Sequence, residues 1–264
     1  MSNDAVRWYL WDGGFLALGR NPPGIVPAHA HHAIQIVIAF DGESAVSAPG
    51  QDWRRGRGMI VMADVEHRYD GGGALGAMIF VDPESSEGAW LRQSIRDDIT
   101  LVPDARVDGI AVELRKFFES PLDAMDVRAL IRHCVSTLCA GAPPARRLDP
   151  RVTTVLNAIR ESDDLRLSLE NAAAMVNLSP SRFAHLFADQ VGLPFRRYIL
   201  WRKLARALLA IGREPTIGAA AQAGDFADAA HLTRTFLQMF GIPPSLMMRG
   251  HFFEVASPFD LAGS

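Results

Sequence analysis

Leu178-Ser179-Pro180-Ser181-Arg182-Phe183-Ala184-His185-Leu186-Phe187, closed by Gly192-Leu193-Pro194, is the stretch on which the reading of the fold turns. It returns 49 residues later: Phe187 recurs as Phe236, Gly192 as Gly241, Leu193 as Ile242 and Pro194 as Pro243, and upstream Ala172 recurs as Ala221. Each copy has the pattern of a helix-turn-helix. In the first, Leu169, Ala173 and Val176 form the inner face of one helix, and Asn177 suits a turn because its side chain tolerates the left-handed conformation. Ser179 is placed to cap the next helix, with Pro180 at the first helical position. Leu178, Phe183 and Leu186 supply buried faces. In the second copy Ile217, Ala220 and Ala221 form the inner face, Gly224-Asp225 begins the turn, and Asp228 caps a helix that buries Leu232 and Phe236.

Between the copies, residues 195–209 read as one uninterrupted basic helix. At 1.5 Å per residue it is long enough to hold two units about one DNA turn apart. Working backwards, Gly141 through Arg147 is rich in Gly and Pro and reads as part of a linker over 141–149. The first half is punctuated as β structure: Ile34–Ile38 ends at Asp41-Gly42, Ala45–Ala48 runs into Pro49-Gly50, and Gly58–Met62 and Met78–Val81 follow Gly-rich turns. From Ser86 the periodicity becomes helical. The expected fold is therefore a two-domain α+β chain: a β-barrel over 1–85, a helical dimerisation segment over 86–140, the linker, an all-α double helix-turn-helix over 150–251, and a tail over 252–264. Helices near 105–119 and 122–140 carry apolar faces wide enough to suggest a two-fold interface and a homodimer.

The 264 residues suit two modest domains, and 48% hydrophobic with 22% charged residues can bury a real core. No apolar run reaches the roughly 20 residues of a membrane-spanning helix, and no signal pattern opens the chain, so a cytoplasmic protein is expected. Two cysteines, Cys134 and Cys139, exclude a disulfide framework. The net charge of −3 conceals a net of −6 over residues 1–144 and +5 over 145–251. One half alone is thus suited to meet a polyanion.

These motifs resemble the AraC/XylS family of bacterial transcription regulators over about 100 residues, from Arg151 to Arg249. Departures are Asp225 and Asn177, where glycine is usual, and Met248 in place of a common tyrosine. The resemblance implies a regulator acting at the nucleoid, with two recognition helices in adjacent major grooves of double-stranded DNA and with RNA polymerase as a partner if it activates. Carried over by position, the first helix presents Ser181, Arg182 and His185, and the second Ala229, Ala230, His231, Thr233 and Arg234. Arg182 and Arg234 have two readings, bidentate contact with guanine or contact with phosphate alone. Arg196, Arg197, Arg202 and Arg206 read as phosphate contacts or solvated helix surface.

Outside that half, His29-Ala30-His31-His32 with Gln35 and the later His67 resembles the spacing of a metal-binding cupin. Alternation along a strand puts His29 and His31 on one face. Gln35 stands where a carboxylate is usual, and Met62 and Asp64 replace the Pro and Gly of the second motif. Two readings stay open: polar groups of a small-molecule effector pocket with no bound cofactor, or three imidazoles and an oxygen around a metal ion. Asp64, Glu66, Arg68 and Tyr69 would line the same mouth. The competing class is a metal-dependent cupin enzyme fused to a DNA-binding half.

Overall fold

A computed structural model of the chain describes residues 6–11, 13–21, 24–83, 85–119, 124–141, 149–162, 164–211, 216–241, 243–247 and 251–254. The strands of the first half are β1 (Arg7–Trp11), β2 (Gly14–Arg20), β3 (Ile25–His29), β4 (Ile34–Ala39), β5 (Ser44–Ser47), β6 (Arg54–Gly56), β7 (Gly58–Val61), β8 (His67–Asp70) and β9 (Leu75–Val81). Then come α1 (Ser86–Ser94), β10 (Ile99–Leu101), α2 (Asp104–Glu119) and α3 (Ala124–Cys139). The second half is α4 (Pro150–Glu161), α5 (Leu169–Met175), α6 (Pro180–Val191), α7 (Phe195–Ile211), α8 (Ile217–Ala223), α9 (Ala229–Phe240), a 3-10 turn at Pro244–Met247, and β11 (His251–Glu254).

The cupin-like barrel is built from two sheets, a large one in the order β10-β7-β4-β9-β2-β1-β11 and a small one in the order β3-β8-β5-β6. Val37, Val46, Met59, Val61, Tyr69 and Ile99 pack together in the space between them. On the other side of the large sheet Ile36, Ile38 and Ile79 meet Val107, Ile110, Leu114 and Phe117 of α2 and Val127, Ile131 and Val135 of α3. β4 is fully buried on both faces, which explains its Ile36-Val37-Ile38 run of β-branched residues.

That packing alters two expectations. The apolar faces of α2 and α3 are consumed by the chain's own sheet, so they do not form the open two-fold surface that their width suggested. Val112, 52% exposed, is what α2 leaves uncovered. The segment 86–140 is not purely helical either, since β10 pairs antiparallel with β7. Both cysteines are free, and burial pushes the Cys134 thiol up to about 12.

The helical half follows its sequence closely. Asn177 and Asp225 both take the left-handed backbone, with φ of 54° and 56°, at the two turns where glycine was displaced. Ser179 accepts from the Arg182 amide and Asp228 from the His231 amide, so both caps form as read. Gly192 and Gly241 end α6 and α9 in the left-handed conformation. Ala172, Ala173, Ala220 and Ala221 are wholly buried at the crossings inside the two units. Asp228→Ala should cost about 1 kcal/mol through the lost cap, read as a lower urea midpoint at unchanged slope; an unchanged midpoint would mean that another group caps α9.

The core does not stop at the boundary between the halves. Leu10, Phe15, Ala33 and Phe80 of the barrel belong to the same buried cluster as Leu193, Trp201, Met239 and Phe240. Phe240 lies 4.6 Å from Phe15, ring centre to ring centre, and Trp201 lies 5.6 Å from Phe240. β11 adds a parallel strand beside β1, so residues 251–254, expected at the domain end and in the tail, extend the large sheet. Two separate cores had been expected; one of them is shared. Residues 142–148 of the expected linker, Ile242 of the repeat, Met248, Arg249 and the tail beyond 254 lie outside the described residues.

Candidate functional site

The two units present matching faces. On α6, Ser181, Arg182 and His185 are exposed while Phe183 and Phe187 are fully buried. On α9, Ala230, His231 and Arg234 are exposed, Ala229 and Thr233 are half-buried, and Leu232 and Phe236 are fully buried. The 3.6-residue period does this: once Phe183 and Leu232 are fixed inward, the residues one before and two after each, Arg182 and His185 on α6 and His231 and Arg234 on α9, face out. His185 Nδ1 lies 2.8 Å from the Ser181 carbonyl, which fixes its ring along α6. His231 packs against Phe226, 5.2 Å between ring centres.

The arginines of α7 divide. Arg196 is exposed and sits beside Ser168, Leu169 and Glu170 at the start of α5, where a phosphate could reach it. Arg197 is a correction. Its Nε and Nη2 donate to Asp82 Oδ2 at 3.1 and 2.6 Å, and Trp201 Nε1 donates to the same oxygen at 2.6 Å. Asp82 is completely buried and the Arg197 side chain is 20% exposed, so this guanidinium clamps the helical half to the barrel rather than meeting solvent. Arg206 likewise donates to the Ser162 carbonyl at 2.6 Å. Sequence reasoning missed Asp82, read only as part of a strand stop. The available signal was the i, i+4 spacing of Arg197 and Trp201 on one helix face, since a buried indole N–H needs an acceptor.

Behind α9 lies the histidine cluster. His29 ends β3, His31 follows in the β3–β4 turn, Gln35 is on β4 and His67 opens β8, so both sheets contribute. One ring nitrogen from each of His29, His31 and His67 lies within 4.8 Å of the other two. The Nδ1 atoms are held at the Pro27, Ala33 and Val65 carbonyls at 2.8, 2.8 and 2.9 Å. A carbonyl can only accept, so each Nδ1 carries a proton, and in a neutral ring Nε2 is then the lone pair. His31 Nε2 faces the Gln35 amide oxygen at 3.0 Å, and His67 Nε2 is buried without a hydrogen-bond partner. Burial lowers His31 below its ordinary value and pushes His67 down to about 4, which keeps both rings neutral. Three imidazole rings and the Gln35 amide therefore converge, with His31 Nε2 in contact with Gln35 and His67 Nε2 without a hydrogen-bond partner. That donor set fits a transition-metal ion.

The expected mouth is only partly assembled. Asp64 pairs with His32 at 3.1 Å, Arg68 lies over the Trp53 ring, and Tyr69 is buried with its hydroxyl donating to Ser44. What covers the cluster instead is α9. The Gln238 and Met239 carbonyls accept from the His32 and Ala33 amides at 2.9 and 3.1 Å. A Cβ on Gly241 would overlap His29 Cδ2 and stand 3.0 Å from His29 Nε2 and from His31 Cδ2.

Two capped helix-turn-helix units joined by one 17-residue helix, with arginine outward on both second helices, define a double helix-turn-helix DNA-binding domain. Residues 172–250 match the family described as a helix-turn-helix domain. Over 82% of this chain and 90% of the relative, the sequence is 22% identical to the probable transcriptional regulator LumQ of Photobacterium leiognathi. It is 24% identical to the uncharacterized HTH-type transcriptional regulator YpdC of Escherichia coli K12, over 52% of this chain and 50% of that protein. The crystal structure of ToxT from Vibrio cholerae superposes with a TM-score of 0.48 at 9% identity, covering 96% of this chain and all of that one. Residues 172–250 form a helix-turn-helix domain of the AraC type, and the chain is similar to transcriptional regulators.

Proposed function

We propose that the chain is a sequence-specific regulator that reads DNA with α6 and α9 and is controlled by a ligand held in the N-terminal barrel. Ser181, Arg182 and His185 meet one groove, and Ala230, His231, Thr233 and Arg234 the next. Arg196 binds phosphate. The observation that carries this reading is the equivalence of the two outward faces: the same cap, the same buried aromatic positions and an exposed arginine on each. The ligand acts by favouring one of two placements of the helical half on the barrel, which requires different affinity for the two.

For the barrel's occupant, the near-complete burial of His31, Gln35 and His67 beneath Gly241 favours an ion over an organic effector. The same cover speaks against a metal-dependent enzyme, which needs an open ligand position for its substrate. A homodimer remains part of the proposal, but not through the buried faces of α2 and α3. RNA polymerase is a further partner if the protein activates.

The test is salt-dependent binding of the full chain to fragments of genomic DNA, its own promoter included. Neutralising six or more phosphates should lower affinity about a thousandfold between roughly 50 and 200 mM salt. A full chain that shows no salt-sensitive binding to any fragment would overturn the reading.

A further inference from the structure

We propose that Asp225 is a positioning residue for DNA reading. Its carboxylate ties the entrance of the first helix-turn-helix to the turn of the second across α7, and so fixes the separation of α6 and α9 and the spacing of the two half-sites the chain accepts. This rests on the reading above, in which α6 and α9 meet one DNA, and extends it from which bases are contacted to how far apart they lie.

Asp225 stands second after the end of α8, where the backbone is left-handed with φ of 56° and glycine would be free of strain. A side chain at such a place is unfavourable unless its own contacts offset the strain. Asn177, second after the end of α5 with φ of 54°, is exposed. Asp225 is not: its side chain is 18% exposed, and each carboxylate oxygen meets its own cation. Oδ1 accepts from Arg166 Nε at 3.1 Å, and Oδ2 lies 2.8 Å from Lys203 Nζ. The same ammonium donates to the Asp225 carbonyl at 3.1 Å. Lys203 foremost, with Arg166 after it, holds the Asp225 carboxyl below the usual carboxylate range, so the tie stays charged at neutral pH.

The three partners belong to three parts of the domain. Lys203 lies midway along α7, and the α8–α9 turn is pressed against it: a Cβ on Gly224 would stand 2.7 Å from the Lys203 carbonyl oxygen and 2.6 Å from Ala207 Cβ. Arg166 precedes Ser168, the cap of α5, and its backbone is held in the first unit between the buried Leu165 and Leu167, which packs on the same core. Arg206 of α7 pins the start of that segment through the Ser162 carbonyl at 2.6 Å. α7 alone sets how far apart the two units sit along its axis, but it does not stop them from rocking about that axis. A carboxylate held by both removes this freedom. The Arg166 side chain is 76% exposed, so its pair adds little to folding stability. It has only to favour one arrangement of α6 and α9 over its near neighbours, and that arrangement is what half-site spacing reports.

Binding-site selection with the full chain reads the spacing directly. The parent should return two half-motifs at one spacing and lose about tenfold or more in affinity when one base pair is inserted between them, the scale of a wrong base pair. Asp225→Gly removes the tie yet suits the left-handed backbone, so its fold is kept. It should retain both half-motifs and lose no more than about threefold on the same insertion. Arg166→Ala, which touches only the arm between the units, should move in the same direction. Asp225→Asn keeps an acceptor oxygen and a residue that tolerates the left-handed backbone, and should stay nearer the parent. A second readout needs no DNA. With Cys139→Ser, and spin labels at Ser181→Cys and Ala230→Cys on the exposed faces, double electron–electron resonance should give a narrow separation of α6 and α9 that broadens in Asp225→Gly. Equal insertion penalties in parent and Asp225→Gly, or equal distance distributions, each overturn the proposal. A separation that broadens in Asp225→Gly, in a chain whose parent selects no two-part motif, overturns the DNA reading and leaves the tie standing.

Discussion

Asp82→Ala is expected to lower the stability of the whole chain by about 3 kcal/mol, because it removes the buried carboxylate to which a guanidinium and an indole N–H both donate at the junction of the two halves. Arg197 and Trp201 donate to one oxygen of this fully buried carboxylate. Arg197 keeps some access to water, which places the loss at the low end for a broken buried pair. Arg197→Met should cost a similar amount for the opposite reason, leaving a buried anion without its guanidinium while the Trp201 indole still donates to it. The double variant Asp82→Leu with Arg197→Met should lose less than the sum, since neither charge is then stranded. Urea unfolding followed by Trp fluorescence measures all three. Strictly additive losses, or an Asp82→Ala midpoint equal to that of the parent, would mean that the clamp does not form in solution.

The same clamp shows what the sequence could and could not convey. Periodicity, caps and turn residues are local, and the double helix-turn-helix was legible from them down to Ser179, Asp228 and the left-handed Asn177. Strands with a β-branched centre, such as Ile36-Val37-Ile38 of β4, were equally plain. β1 and β2 were not, because Trp8, Tyr9 and Gly14 disguise two strands whose alternation is broken by packing on both faces. β10 is three residues long, too short to carry a period. The apolar faces of α2 and α3 were read correctly as faces, but a helix stripe does not say whether a sheet or a second copy covers it.

The histidines were found by spacing, and the structure does bring His29, His31, Gln35 and His67 together. Their cover was invisible, because Gly241 was already accounted for as a helix stop. One residue performs two tasks there: the left-handed φ of 71° ends α9, and the missing side chain lets the backbone approach His29. Arg197 was misread for a related reason. On a solvent-facing helix of a DNA-binding domain an arginine suggests phosphate, and only the neighbouring domain's Asp82 changes its role.

Arg234→Ala is expected to change which DNA is bound more than how tightly DNA is bound. Arg234 is exposed on α9, two residues beyond the buried Leu232, and no ion pair holds it among the described contacts. A bidentate contact with guanine O6 and N7 is worth about 1–3 kcal/mol of discrimination, a factor of about 5 to 150. Its loss should flatten preference at one or two base pairs in a binding-site selection and leave the rest of the motif intact. Arg182→Ala should do the same at a second position, one served by α6. The proper comparison is Arg196→Ala, since Arg196 is exposed at the start of α7 while Arg197 is held by Asp82. Arg196→Ala should weaken binding about evenly across sequences and reduce the salt slope by about one. If selection with Arg234→Ala returns the parental motif, its guanidinium contacts phosphate alone, and the specificity of the second unit must then come from His231 and Thr233.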